Sequence, residues 1–132
     1  MIYVSLTTIP QRLKNLNQSI ESLLKQTRKP DKIFINIPLK YRRFSNTIED
    51  KQIPKFDNSI VEITRCEDCG PGTKLLGSLD KLKKNSLIIL ADDDHSYEDY
   101  MIEKFIGIRG PTTYPNKIIV PVCKNVKIFS AK

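Results

Sequence analysis

The sequence predicts a single α/β domain over residues 1–132, with a mostly parallel, open sheet and flanking helices. Short apolar or alternating runs recur at residues 2–6 (IYVSL), 32–37 (KIFINI), 60–65 (IVEITR), 87–91 (LIILA) and 117–122 (KIIVPV). Leucine-rich stripes with steps of three and four lie between several of them, and strands alternating with such stripes make βαβ units. A length of 132 residues is that of one domain able to bury a real core.

Each element has a local reason. The first strand, residues 2–6, is short and apolar, as a strand buried on both faces must be. Pro10 then suits the first turn of a helix, where its missing N–H does no harm, and Thr8 is a fair cap. Leu13, Leu16, Ile20, Leu23 and Leu24 mark one buried stripe, so this helix runs to about Gln26 and ends before Lys29-Pro30. The second strand, residues 32–37, is stopped by Pro38, and strand–helix–strand implies a parallel pair with a right-handed crossover. Residues 38–58 have no period and contain Pro38, Asn46, Pro54 and Asn58, which makes them a long loop with room for one helical turn.

Residues 60–65 alternate as a third strand. Gly70-Pro71-Gly72-Thr73 is a turn, and Leu75, Leu76, Leu79 and Leu82 form the stripe of a second helix. The strand at 87–91 leads into a helix at about 97–106, capped by Ser96 or Asp94, and residues 117–122 are the last strand. No repeat, linker or low-complexity segment divides the chain.

Composition narrows the function classes. Hydrophobic residues at 39% and charged residues at 28% describe a globular chain rather than a disordered one. No stretch reaches the ~18 apolar residues of a membrane span, and residues 1–6 (MIYVSL) carry no basic leader, so a cytoplasmic location is expected. A net charge of +7 admits an anionic partner. The basic clusters at residues 40–43 and 81–84 are short and lack interleaved aromatics, so they read as solvated faces and nucleic acid is not the expected partner. Cys66 and Cys69 form a C-x-x-C and Cys123 stands alone; a structural zinc site needs four ligands, but the only histidine, His95, lies next to the acidic triplet, and the thiols read as reduced and incidental.

The chemistry concentrates at the end of the fourth run, where five apolar residues lead straight into Asp92, Asp93 and Asp94. Ligands of open α/β sheets bind at the carboxyl ends of strands. Three adjacent carboxylates repel one another, and a divalent cation with its preference for oxygen relieves that repulsion. The triplet therefore reads as a metal site holding a phosphorylated ligand, against the plainer alternative of a solvated acidic turn. The segment after the first strand, with Thr7, Thr8 and Arg12 at a helix start, offers hydroxyls and backbone N–H groups to a phosphate or base edge, or serves only to cap the helix. The order Gly72-Thr73-Lys74 is not that of a P-loop, although a lysine there can still reach a phosphate. His95 reads as a solvated or hydrogen-bonded neighbour of the acids, with a fourth metal ligand as the alternative, and Tyr97 and Tyr100 read as aromatics packed on a helix face.

Three blocks taken in order, VSLTTIPQRLKNLNQSIESLLKQTRKPDKIFINIP, CGPGTKLLGSL and LIILADDDHSY, resemble the GT-A glycosyltransferases, especially those related to glycosyltransferase family 2. The resemblance covers roughly residues 1–100 and implies the Rossmann-like, nucleotide-sugar-binding half of such an enzyme, truncated on its C-terminal side. It implies that Thr7, Thr8 and Arg12 contact base and ribose, and that Lys74 reaches the nucleotide. It puts the D-x-D motif on Asp92, Asp93 and Asp94, with Asp92 and Asp93 toward the donor. Asp94, with Asp92, would bind Mn²⁺ or Mg²⁺ bridging the diphosphate of a UDP- or GDP-sugar. The implied acceptor is a glycan or a lipid-linked sugar.

Two departures stand out. Where many family 2 enzymes carry an acid that reads uracil, this chain has Asn36-Ile37-Pro38. Acceptor elements and a catalytic base are expected beyond the motif, and Glu98, Asp99 and Glu103 are poor candidates for that base. The expectation is thus a sugar transferase or, as the alternative, a non-catalytic module lacking the acceptor half. A polyanion-binding protein driven by the +7 charge is a third possibility.

Overall fold

A computed structural model describes residues 1–56, 58–83, 86–109, 117–122 and 125–130. Cys123 lies outside the described residues. The strands are β1 (Ile2–Thr7), β2 (Lys32–Pro38), β3 (Val61–Cys66), β4 (Leu87–Leu90), β5 (Lys117–Val122) and β6 (Asn125–Ser130). They form one sheet in the order β3-β2-β1-β4-β5-β6. Neighbours pair in parallel from β3 to β5, and β6 pairs antiparallel to β5. The expected α/β sheet is therefore observed, and β6 is additional to the predicted strands. Its run of Val126, Ile128 and Phe129 is rich in the β-branched and aromatic residues that strands favour.

The winding fixes where a ligand can enter. From β1 the chain steps outward to β2 and β3, then returns to place β4 on the other side of β1. The loops leaving β1 and β4 diverge at this reversal, which opens a crevice at the carboxyl ends of these two strands. Leu90, the last residue of β4, lies beside Ser5 of β1, and Thr7, the last residue of β1, lies beside Asn36 of β2.

The core explains the continuous apolar runs. Val4, Leu6, Ile33, Ile35, Ile37 and Ile89 are fully buried, because helices and loops cover both faces of the central strands. On α1 (Leu16–Leu24), Leu16, Ile20 and Leu23 complete this core, and on α3 (Met101–Arg109) Ile102 and Phe105 do so. Gln26 ties these helices together: its amide donates to the Glu98 carbonyl (2.6 Å) and its side-chain oxygen accepts from Ile102 N–H (3.0 Å).

Three elements depart from expectation. The helix predicted from Pro10 begins instead as a 3₁₀ segment over Pro10–Asn15, and only α1 is α-helical. Ile9 occupies the cap position, and the Thr8 hydroxyl expected to cap the helix is turned to Asp93. The helix predicted from Leu75 to Leu82 is a single four-residue turn, α2 (Thr73–Leu76), followed by a 3₁₀ turn at Leu79–Lys81. Leu76 and Leu79 are 52% and 49% exposed rather than part of a buried stripe. Gly77 and Ser78 interrupt the helix because Ser78 folds inward to meet Ser5 Oγ (3.1 Å) and Asn36. The last helix starts at Met101, so Tyr97 precedes it. No helix among the described residues is long and apolar enough to cross a membrane.

Candidate functional site

At the end of β4 the strand's alternation continues for a few residues and sends the three acids different ways. Ala91 N–H still donates to the Ser5 carbonyl (3.0 Å), and Asp92 N–H donates to the Tyr97 hydroxyl (2.6 Å). Asp93 points inward and is 3% exposed. It accepts from the Thr8 hydroxyl (2.6 Å) and lies 3.4 Å from the Arg12 guanidinium. Burial pushes the Asp93 carboxyl above the usual carboxylate range, against the lowering influence of Thr8 and Arg12. Asp93 therefore binds the β1 loop to the β4 loop.

Asp92 and Asp94 point outward and face each other across His95. Asp92 Oδ2 lies 3.6 Å from His95 Nε2, and Asp94 Oδ1 lies 3.7 Å from the same nitrogen. One ligand atom from each of Asp92, Asp94 and His95 falls within 4.8 Å of the others. The remaining oxygens are held by cations from opposite walls: Lys74 pairs with Asp92 Oδ1, and Arg12 Nη1 lies 3.5 Å from Asp94 Oδ2. Two carboxylates and one imidazole on one side leave the other coordination positions open, a donor set that fits a divalent ion accepting oxygen and nitrogen.

Lys74 reaches this point because its backbone is anchored from behind. Asn36, fully buried near the end of β2, donates its amide to the carbonyls of Thr73 (2.9 Å) and Lys74 (3.1 Å). The Ser5 hydroxyl also donates to the Lys74 carbonyl. A Cβ on Gly77 would come within 2.7 Å of Asn36 Cβ and Cγ, so glycine permits this close approach of α2 to β2. On the opposite wall the Tyr41 hydroxyl donates to the Thr8 carbonyl (2.8 Å), and burial pushes the Tyr41 phenol up to about 12. The Thr7 hydroxyl donates to the Asn36 carbonyl (2.6 Å).

These groups surround a cleft of about 380 Å³ lined by Thr7, Thr8, Arg12, Lys74, Asp92 and Asp93. All six residues expected to meet a ligand thus share one cavity. Asp94, the remaining expected metal ligand, joins the outward cluster beside it. His95 stands beside the acids, as a neighbour of the triplet is expected to, and shares their outward cluster. One expectation is corrected: Tyr97 holds the Asp92 backbone instead of packing on a helix face. Tyr100 is 45% exposed, with Lys104 Nζ over its ring. Glu98 pairs with Lys104 (3.3 Å) and Glu103 accepts from Thr27 (3.2 Å), so both are engaged away from the cleft.

Compared with known proteins, the chain matches no family model and no curated protein.

Proposed function

We propose that this chain is a GT-A-like domain, with the Rossmann-like topology that class implies, which binds a nucleoside-diphosphate sugar through Mn²⁺ or Mg²⁺. The observation that carries the reading is a cleft at the β1/β4 reversal that brings two cationic side chains and a hydroxyl-bearing loop beside an acid–histidine cluster, with Asp92 common to both. Asp92 and Asp94 hold the cation, with His95 completing the donor set. Arg12 and Lys74 take the phosphates, where guanidinium and ammonium groups make charge-assisted bonds. Thr7 and Thr8 line the way to ribose and base. Asp93 keeps its place by holding the β1 loop rather than by meeting sugar directly. When bound, the cation offsets charge on a departing nucleoside diphosphate.

In this reading the acceptor is a glycan or a lipid-linked sugar and the location is cytoplasmic. The engagement of Glu98 and Glu103 elsewhere favours, as the second reading, a non-catalytic module that binds the donor without transferring it. Thermal melting with UDP, GDP and ADP, each with and without Mn²⁺, tests the binding claim. A rise in melting temperature for one diphosphate that needs the metal is expected, and unmoved melting for every combination overturns the proposal. Sugar release from labelled donors, lost in Asp94→Asn, separates the transferase from the module.

A further inference from the structure

Each outward carboxylate of the site divides its two oxygens between a histidine and a cation. Asp92 presents Oδ2 to His95 and Oδ1 to Lys74; Asp94 presents Oδ1 to His95 and Oδ2 to Arg12. The cleft therefore contains its own positive charge before any ligand arrives. Lys74 and Arg12 differ in how freely they can leave. Arg12 is shared between Asp94 and the buried Asp93, which keeps it at the β1 loop. Among the described residues Lys74 has one carboxylate partner, and its ammonium sits on a four-carbon stem from a residue whose backbone carbonyl is fixed by Asn36 and Ser5. Its ammonium can swing while its main chain stays still.

We propose that Lys74 is a built-in counter-ion of the cation site, so that metal and diphosphate bind cooperatively through its movement. The inference rests on the functional reading above and adds to it the order of events at that site. With Lys74 on Asp92, a bare divalent cation meets a half-neutralised carboxylate and a neighbouring positive charge, and binds weakly. A diphosphate offers the ammonium a more highly charged partner and draws it off Asp92. The released carboxylate then gives its full charge to the metal. Coupling of this kind is reciprocal, so metal must tighten the diphosphate by the same factor that diphosphate tightens the metal.

The test measures Mn²⁺ alone before any nucleotide is added. Free Mn²⁺ is followed by its paramagnetic resonance signal with the full chain and with Lys74→Met and Lys74→Arg. UDP and GDP binding is then measured by calorimetry at matched free Mn²⁺. Melting in a chelator checks that the variants are folded. The wild-type chain should show coupling in the usual range of about 5- to 150-fold. In Lys74→Met, Mn²⁺ alone should bind about tenfold tighter as the repulsion is removed, and the coupling should fall by about the same factor, leaving the part carried by direct contact between metal and diphosphate. Lys74→Arg should keep the coupling. Equal or weaker Mn²⁺ binding by Lys74→Met, with coupling retained, overturns the counter-ion role while leaving the metal-binding reading intact. Absence of Mn²⁺ binding from every variant, with and without diphosphate, sinks both.

Discussion

Replacing Gly77 with alanine gives a sharp test of how the site is assembled. Gly77 has φ −64° and ψ −23°, ordinary right-handed helical values, so alanine fits the backbone without strain. On conformational grounds alone Gly77→Ala should stabilise the protein by about 0.4–1 kcal/mol. The packing says the opposite. The new methyl would lie 2.7 Å from both Asn36 Cβ and Asn36 Cγ, well inside the ~3.5–4.0 Å of an unstrained carbon contact. Asn36 cannot retreat, because its Cβ is set by β2 and its amide is bonded to Thr73 and Lys74.

Overpacking of this kind costs about 1–3 kcal/mol, and breaking one buried hydrogen bond adds about 1 kcal/mol. A net loss of about 1–3.5 kcal/mol is expected once the backbone gain is subtracted. Urea unfolding of the two proteins measures it from the shift in midpoint at constant slope. Because α2 carries Lys74, nucleotide affinity should fall along with stability. A variant as stable as the parent, or more so, would refute the close approach of α2 to β2.

Other outcomes follow from the same geometry. Thr8→Val removes the hydroxyl that reaches the buried Asp93 and should lower stability by about 1–3 kcal/mol in chemical denaturation. Asp94→Asn, at a half-exposed position, should change stability by no more than about 0.5 kcal/mol yet abolish Mn²⁺ binding measured by calorimetry. Tyr41 binds its proton more tightly folded than unfolded, so its contribution is complete below pH 10 and is lost as pH rises toward about 12. Tyr41→Phe lacks that loss, and the stability gap between it and the parent should narrow across this window in alkaline unfolding curves.

Much of this arrangement was legible because it depends on short-range chemistry. A parallel strand covered on both faces must be apolar throughout, so residues 2–6 and 87–91 stood out, and the acids following Leu90 had to lie at a strand end. The resemblance singled out Lys74, and the fold brings it to Asp92. What was not legible depends on partners distant in the chain. Thr8 has every property of a helix cap, but its bond runs to a residue 85 positions away. The leucines at 76 and 79 have helical spacing, but the contact between Gly77 and Asn36 decides the segment, and their side chains remain exposed. Tyr97 was missed for another reason. Its role follows from the chain doubling back after residue 94, and only the close spacing of polar and aromatic residues behind the triplet could have signalled it.

The central claim is that Asp92 and Asp94 hold a divalent cation that in turn holds a diphosphate. Calorimetric titration of UDP and GDP into the protein with Mn²⁺, repeated with Asp92→Asn and Asp94→Asn, addresses it most directly. The account predicts saturable binding of one nucleotide that requires the metal and disappears in both variants. Binding of equal strength without metal, or in both variants, would contradict it.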